Sequence, residues 1–464
     1  MNWLARNAFA LGVAAAGFTL AVGLPTADPD TYWHLASGQW MIDHHAILRT
    51  DIFSSTVPGQ AYSVGEWLGE IVLAAVFGAR QWVGLALLQA VLVAIAAFFL
   101  ARLSRRGGAP LVAALLVVTL ALVASKTRWT DRPAIFTFVL FPVVLDLLYT
   151  ARAGSARALV AIPPLILLWA NLHGGYAIGI ALVLAFTAEA LVRRRPMFGA
   201  FGLTLLASVA LSFVDPETFG AGGAAAHALA PPRFISEEAP PDVLEPSGLV
   251  FAVFLLATLS VALFGGGGLL ELLLFIPLLW LALSAQRHLV FFVFATTPFI
   301  AAGGARAYAR MRPRSLQGAR LLPLRVLPAP AVAVLALLLC AGALASAIGA
   351  PTAPDERAYP TGAIDALRTG SGTLLNEYDW GGYLIFRVPE RRVFVDGRLF
   401  PFYPAVLRDY RDAVDLRPEW KNVLARYDVR EVLLRPTKAL AVALREDGWK
   451  VRAEGPTFVL LAKP

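Results

Sequence analysis

Two carboxylates, an imidazole and two aromatic rings fall within one short stretch, Asp28-Pro29-Asp30-Thr31-Tyr32-Trp33-His34, directly after the first apolar run of the chain. Acids so close to an apolar anchor are costly unless they serve a purpose. An Asp-x-Asp pair just outside a helix end has two kinds of chemistry open to it. As hard oxygen donors the carboxylates bind a divalent ion such as Mg or Mn, and as bases they accept a proton. The plainer role is to cap the helix that follows. Asp28 and Asp30 are therefore the candidate catalytic residues and the candidate metal ligands, with His34 and Glu66 as candidate substrate-binding groups nearby.

The elements that position them are membrane helices. Of 464 residues, 58% are hydrophobic and 16% charged, and the mean hydropathy of +0.65 is that of a polytopic α-helical membrane protein. The net charge of +8 calls for no nucleic-acid partner, because the arginines fall in short blocks between apolar runs, as in cytoplasmic loops. Cys340 is the only cysteine, which excludes an intrachain disulfide. Eleven apolar runs are expected to span the bilayer: Leu4–Leu24, Gln81–Leu103, Ala109–Ala124, Pro133–Tyr149, Ala158–Ala170, Tyr176–Leu191, Met197–Val214, Leu249–Phe264, Leu269–Leu283, Leu289–Ala302 and Ala331–Ile348. The first resembles a signal peptide but is read as a retained helix, since the polar motif and many further spans follow it.

With the N-terminus inside, the inner loops hold fifteen cations and the outer loops before Ala350 hold seven, which fixes the expected orientation. Glu66–Phe77 would invert that bias if it spanned, so it is read as a helix lying at or dipping into the outer surface. The first outer loop, 25–80, then carries Trp33, Trp40 and Trp67 at the interface. An outer loop at 215–246, rich in proline and containing Glu237 and Glu238, suits a lid or a plain connection. Residues 1–350 form the membrane domain and 351–464 an extracytoplasmic α/β domain, with strands at Thr373–Glu377, Arg392–Val395, Glu431–Leu434 and Thr457–Leu461 and helices at Ala405–Tyr427 and Lys438–Asp447.

On this topology all six histidines and the polar clusters at membrane depth lie outside, which favours an outward polar cavity. Arg128, Arg132 and Arg287 suit a phosphate, which guanidinium grips bidentately, although snorkelling or pairing with Asp131 serves Arg128 and Arg132 equally. Asp131, Asn171, His173 and His288 join them as candidate substrate-binding groups, His173 ahead of a Gly174-Gly175 turn. In the tail, Asp379, Trp380 and Tyr383, then Asp396 and Arg398, follow strand ends and read as a carbohydrate or peptide surface, with ordinary turn chemistry as the alternative.

These residues resemble the GT-C superfamily of polyprenyl-phosphate-sugar-dependent glycosyltransferases, whose members carry many transmembrane helices, an Asp-x-Asp motif in the first outer loop and often a soluble outer C-terminal domain. Asp28-Pro29-Asp30 matches in type and place. The chain is also similar to a group of bacterial membrane proteins bearing Asp-Pro-Asp-x-x-Trp-His, Asn-x-His-Gly and Asp-Trp-Gly-Gly-Tyr signatures. The resemblance implies a multi-pass protein of the bacterial plasma membrane that moves a sugar from a polyprenyl-phosphate donor to a glycan, lipid or protein acceptor, with Asp28 as base or metal carboxylate and Asp30 as its partner. Shared sidedness and the clustering of acids and aromatics at strand ends lead to the expectation that the loop Glu377–Tyr383 faces a cavity where Asp28, Arg128, His173 and His288 converge. A transporter of lipid-linked saccharide and a non-catalytic scaffold are the alternatives from other classes.

Overall fold

The computed structural model describes residues 3–22, 28–62, 65–216, 237, 239–311, 329–349 and 355–464. The chain divides into two compact units, Met1–Leu24 with Ala86–Thr352, and Pro25–Leu85 with Ala353–Pro464. One break falls at Thr352/Ala353, beside residue 350, and the first loop, Pro25–Leu85, groups with the tail.

The membrane unit is built from apolar helices. Among the described residues, six helices are long and apolar enough to cross a membrane: Trp3–Val22, Trp67–Ser104, Leu111–Arg128, Ala134–Arg152, Pro246–Phe264 and Gln286–Gly304. Shorter apolar helices include Ala156–Leu172, Tyr176–Val192, Phe198–Ser212 and Leu269–Ser284. The first helix packs along Ala329–Gly349, and Leu289–Met311 packs against Pro246–Gly265, Leu269–Ser284 and Leu111–Ser125. Rings fill the interior: Phe141 meets Phe291 and Phe294, and Phe251 meets Phe292. The outer surface is equally apolar, with Leu203, Leu206, Leu263 and Leu337 at least 69% exposed. Such a surface is stable against lipid and not against water.

The arginine blocks assigned to the inner loops are not unbalanced. Asp146, 2% exposed, takes Arg106 at 2.6 Å and Arg102 at 3.1 Å. Glu189, also buried, takes Arg195 at 2.8 Å and Arg152 at 3.1 Å. Each acid sits in the last two turns of its own helix and ties down arginines of neighbouring helix ends and turns. Removing either carboxylate would strand partly buried cations.

The helix over Trp67–Ser104 contains a break at Gln81 (φ 51°, ψ −146°). The stretch read as separate from the following span is thus a distinct helical arm, joined to it through one non-helical residue.

The tail carries a four-stranded mixed sheet, β1 (Thr373–Asn376), β2 (Val429–Leu434), β3 (Lys450–Glu454) and β4 (Val459–Ala462), in the order β1-β2-β4-β3. β1 runs parallel to β2, and the other pairs are antiparallel. Two expectations need correction. Arg392–Val395 is extended but pairs outside this sheet, with the first loop: Val393 donates to the Phe53 carbonyl at 3.0 Å and Ser55 donates back at 2.8 Å. The expected helix Ala405–Tyr427 is two helices, Ala405–Val414 and Trp420–Arg426, separated at Leu416, whose φ of 52° no helix admits.

Candidate functional site

The helix after the acidic motif runs over Asp30–His44. Pro29, not Asp28, is the N-cap residue of this helix, which has no side-chain cap; the Asp28 Oδ1 closes the turn just before it by accepting the backbone N–H of Asp30 at 3.0 Å. Asp30 opens the first turn, where the helix dipole favours a negative charge. Its Oδ1 accepts the indole Nε1–H of Trp33 at 3.1 Å. Both acids are partly exposed, whereas Tyr32, Trp33 and His34 behind them are buried.

Two loops of the tail close on this turn. A Cβ on Gly382 would lie 2.8 Å from the Pro29 carbonyl oxygen, and one on Gly397 would lie 1.8 Å from Asp30 Oδ1. No side chain fits at either place, so the glycines are there for close approach. The loop Glu377–Tyr383 therefore lies against the Asp28–Asp30 turn. The tyrosines complete the packing: Tyr32 meets Tyr359 and Tyr383 edge-on at 5.3 and 5.2 Å, and Tyr359 stacks on Tyr383 at 4.6 Å. Burial, then the neighbouring Asp28 carboxylate, raises the pKa of the Tyr359 phenol. Burial and the Glu356 carboxylate push Tyr383 up to about 12. Tyr359 was missed in the sequence because an isolated tyrosine next to a proline carries no pattern.

The tail residues read as a sugar-facing surface are mostly interior. Trp380 and Tyr383 are at most 1% exposed, and Trp380 donates to the Ala358 carbonyl at 3.0 Å. Asp396 and Arg398 are buried in an ion cluster with Asp51: Arg398 lies 2.6 Å from both carboxylates, and the rings of Phe53, Tyr62 and Phe402 stand 5.1, 5.2 and 5.6 Å from the guanidinium. Burial opposes the charge on Arg398, but Asp396, Tyr62 and Asp51 outweigh it and raise its pKa. Only Asp379 of the five is exposed, paired with Arg435 at 3.3 Å. Acids and rings beside glycines mark a tight interior contact here, a pattern that sequence does not separate from a binding surface.

Trp33 is likewise no interfacial anchor, being 8% exposed in the core with Tyr32, Tyr383 and Leu384. His34 is buried with its Nδ1 2.9 Å from Glu70 Oε1 and its Nε2 3.9 Å from Glu66 Oε2. It bridges the two helical arms of the first loop, and Glu66, 28% exposed, is the partner nearer solvent.

The other candidates belong to the membrane unit. Arg132 and Arg128 hold the Glu237 carboxylate at 2.6 and 3.4 Å; burial raises the pKa of Glu237, but the two guanidinium groups outweigh it and bring it below the usual value. A cavity of about 240 Å³ lies beside them, lined by Thr127, Arg128, Glu237, Ser247, Gln286 and Leu289. Asp131 and His288 are buried, and Arg287 sits between Gln286 and His288 in a single 3₁₀ turn. His173 Nδ1 accepts the Gly175 N–H at 2.9 Å and contacts Thr137 Oγ1 at 2.7 Å, which in turn accepts the Trp169 indole N–H at 2.7 Å. With Nδ1 an acceptor, the neutral ring carries its proton on Nε2. Asn171 is used structurally, donating to the Leu167 and Val214 carbonyls. Most of the loop 215–246, with His227 and Glu238, lies outside the described residues.

Among the described residues, no three or more His, Cys, Asp or Glu side chains gather as a metal site would require. Asp28 and Asp30 are two carboxylates, fewer than such a group holds.

No protein-family model matches the chain, and no curated protein matches it in sequence. Solved structures do. The archaeal oligosaccharyltransferase AglB from Archaeoglobus fulgidus, in complex with an inhibitory peptide and a dolichol-phosphate, is 12% identical with a TM-score of 0.62, covering 100% of this chain and 75% of that one. The apo form of the Archaeoglobus fulgidus oligosaccharyltransferase gives 0.60 at 12% identity over 93% and 69%. ArnT from Cupriavidus metallidurans, bound to undecaprenyl phosphate, gives 0.55 at 14% identity over 98% and 97%. The fold is GT-C-like. At these identities the likeness is one of fold, and it extends through both the apolar helices and the small C-terminal sheet.

Proposed function

We propose that the chain is a membrane glycosyltransferase that moves a sugar from a polyprenyl-phosphate-linked donor to an acceptor hydroxyl on the outer face of the plasma membrane. The observation that carries this reading is the Asp28–Asp30 turn, a pair of partly exposed carboxylates held at a helix start by the tail loops of the same compact unit. Asp28 is the base: it takes the acceptor proton as the acceptor oxygen bonds to the sugar's anomeric carbon and the carbon–phosphate oxygen bond breaks. Asp30 is its partner, because Oδ1 of Asp30 is bonded to Trp33 and crowded by Gly397, which leaves no room for an acceptor at that oxygen. Within the membrane unit, Arg128, Arg132 and Arg287 remain the candidate phosphate-binding groups, since guanidinium grips phosphate bidentately. The solved neighbours bound to dolichol-phosphate and undecaprenyl phosphate support a donor of this class.

The test is release of polyprenyl phosphate from a panel of polyprenyl-phosphate sugars by the protein in lipid nanodiscs. Asp28→Asn is expected to lower turnover by about 10²–10⁴-fold, the usual worth of a general base, with unchanged thermal stability. Near-normal turnover in that variant would remove Asp28 from the chemistry.

A further inference from the structure

The Asp51–Arg398–Asp396 cluster is the most costly feature of the tail unit, and neither the fold nor the proposed chemistry uses it directly. Its charged side chains are 0% exposed. One guanidinium against two carboxylates leaves a net negative charge in a dry interior, an arrangement that apolar residues of similar volume replace without loss of stability. Its geometric product is specific. Arg398 donates through Nε to Asp396 Oδ1 at 2.8 Å and its backbone N–H reaches the same oxygen at 3.0 Å, which closes residues 396–398 into a turn. Asp51 fastens that turn to the first loop, and the bridge between Ser54 and Val393 runs alongside. The next residue, Leu399, has φ 54° and ψ −59°, with the Phe400 N–H bonded to the Arg398 carbonyl at 2.5 Å. A non-glycine residue holds such a conformation only where its surroundings over-determine it. At the apex stands Gly397, in contact with Asp30 Oδ1 and with a Cβ position 3.2 Å from Trp33 Nε1.

We infer that Arg398 is a positioning residue of the reaction: with Asp51 and Asp396 it fixes Gly397 against Asp30 and Trp33, and so sets the direction in which the Asp28–Asp30 pair faces. The inference rests on the transferase reading for its catalytic consequence, but its geometric content stands apart from it. Trp33 touches both Asp30 and Gly397 and therefore reports the arrangement without any substrate.

The experiment uses the full chain in lipid nanodiscs, labelled with 5-fluorotryptophan, in which loss of one ¹⁹F signal in Trp33→Phe identifies that residue among eleven tryptophans. Gly397→Ala and Asp51→Asn are both expected to shift the Trp33 signal and its pH titration. In release of polyprenyl phosphate they are expected to lower kcat by about 100-fold, the scale of a 1 Å misplacement, with KM for the lipid donor changed less than about threefold. Asp51→Asn carries the test alone where Gly397→Ala does not accumulate. An unmoved Trp33 signal in the variants overturns the inference, as does a moved signal with kcat unchanged. A wild-type chain with no release activity overturns the transferase reading instead, while the Trp33 signal still decides whether the cluster sets the carboxylates.

Discussion

Replacing Arg398 by Met should cost stability in a way that only a buried charge can. The substitution leaves Asp51 and Asp396 without their shared cation, in a site whose side chains are 0% exposed and ringed by Phe53, Tyr62 and Phe402. Stranding a buried charge costs about 3–5 kcal/mol, and for a unit of this size each kcal/mol is worth roughly 2–4 °C, so the apparent Tm should fall by roughly 6–20 °C at pH 7.5. The sign of the pH dependence is the sharper check. Without Arg398 the two carboxyls favour their neutral forms in the folded state, so their folded pKa values rise above the ordinary Asp value of about 3.9. The folded state of the variant then holds protons that the unfolded chain has released. Its deficit disappears below the unfolded pKa and opens as pH rises through the raised folded values, by at most about 1.4 kcal/mol per pH unit for each carboxyl. Thermal unfolding in nanodiscs between pH 4.5 and 8 would show the variant recovering on acidification, and Asp51→Asn added to Arg398→Met should restore part of the loss. A variant within 2 °C of wild type at pH 7.5, or one that does not recover in acid, would refute the account of this cluster as a tightly coupled buried charge group.

Three further outcomes follow from the same geometry. Gly175→Ala places a Cβ 2.3 Å from Thr137 Oγ1, so it should cost about 1–3 kcal/mol of packing, seen as a lower apparent Tm. The carboxylate of Glu237 has a folded pKa below its ordinary 4.5; its contribution to stability is present above 4.5 and is lost as pH falls through the lowered value, so Glu237→Gln should flatten that acid limb in a Tm–pH series. Asp146→Asn leaves Arg102 and Arg106 without their carboxylate and should lower apparent Tm at neutral pH, while Arg157→Gln, on an exposed arginine in the first turn of Ala156–Leu172, should change it little.

The membrane helices were legible in the sequence because hydrophobicity in lipid is a one-dimensional signal: a run long enough and apolar enough has few other fates. The first motif was legible as the approach to a helix start, where the Asp28 carboxylate accepts the Asp30 N–H one residue before the cap. What the sequence did not disclose was pairing across more than three hundred positions. Asp396 and Arg398 read as exposed polar groups after a strand, yet their partner is Asp51, and nothing local to either segment announces the other. Trp33 read as an interfacial ring for the same reason, since its partners Gly382 and Gly397 lie in the tail. The edge strand Lys450–Glu454 escaped notice because its charged residues face solvent, so it lacks the buried apolar run by which its neighbours were found.

The tail unit draws one part from Pro25–Leu85 and the other from Ala353–Pro464, so its first part leaves the ribosome well before the second. At about 5–20 residues per second, the intervening stretch takes on the order of 15–50 s to synthesise. Throughout that interval the newly made segment carries Tyr32, Trp33 and Phe53 without the surfaces that will cover them, and Asp51 without its counter-ion. Biogenesis of this chain thus includes an obligatory waiting period with an adhesive half-domain on display, a stage at which a holdase chaperone would find its client and a truncated transcript would yield a product that cannot close.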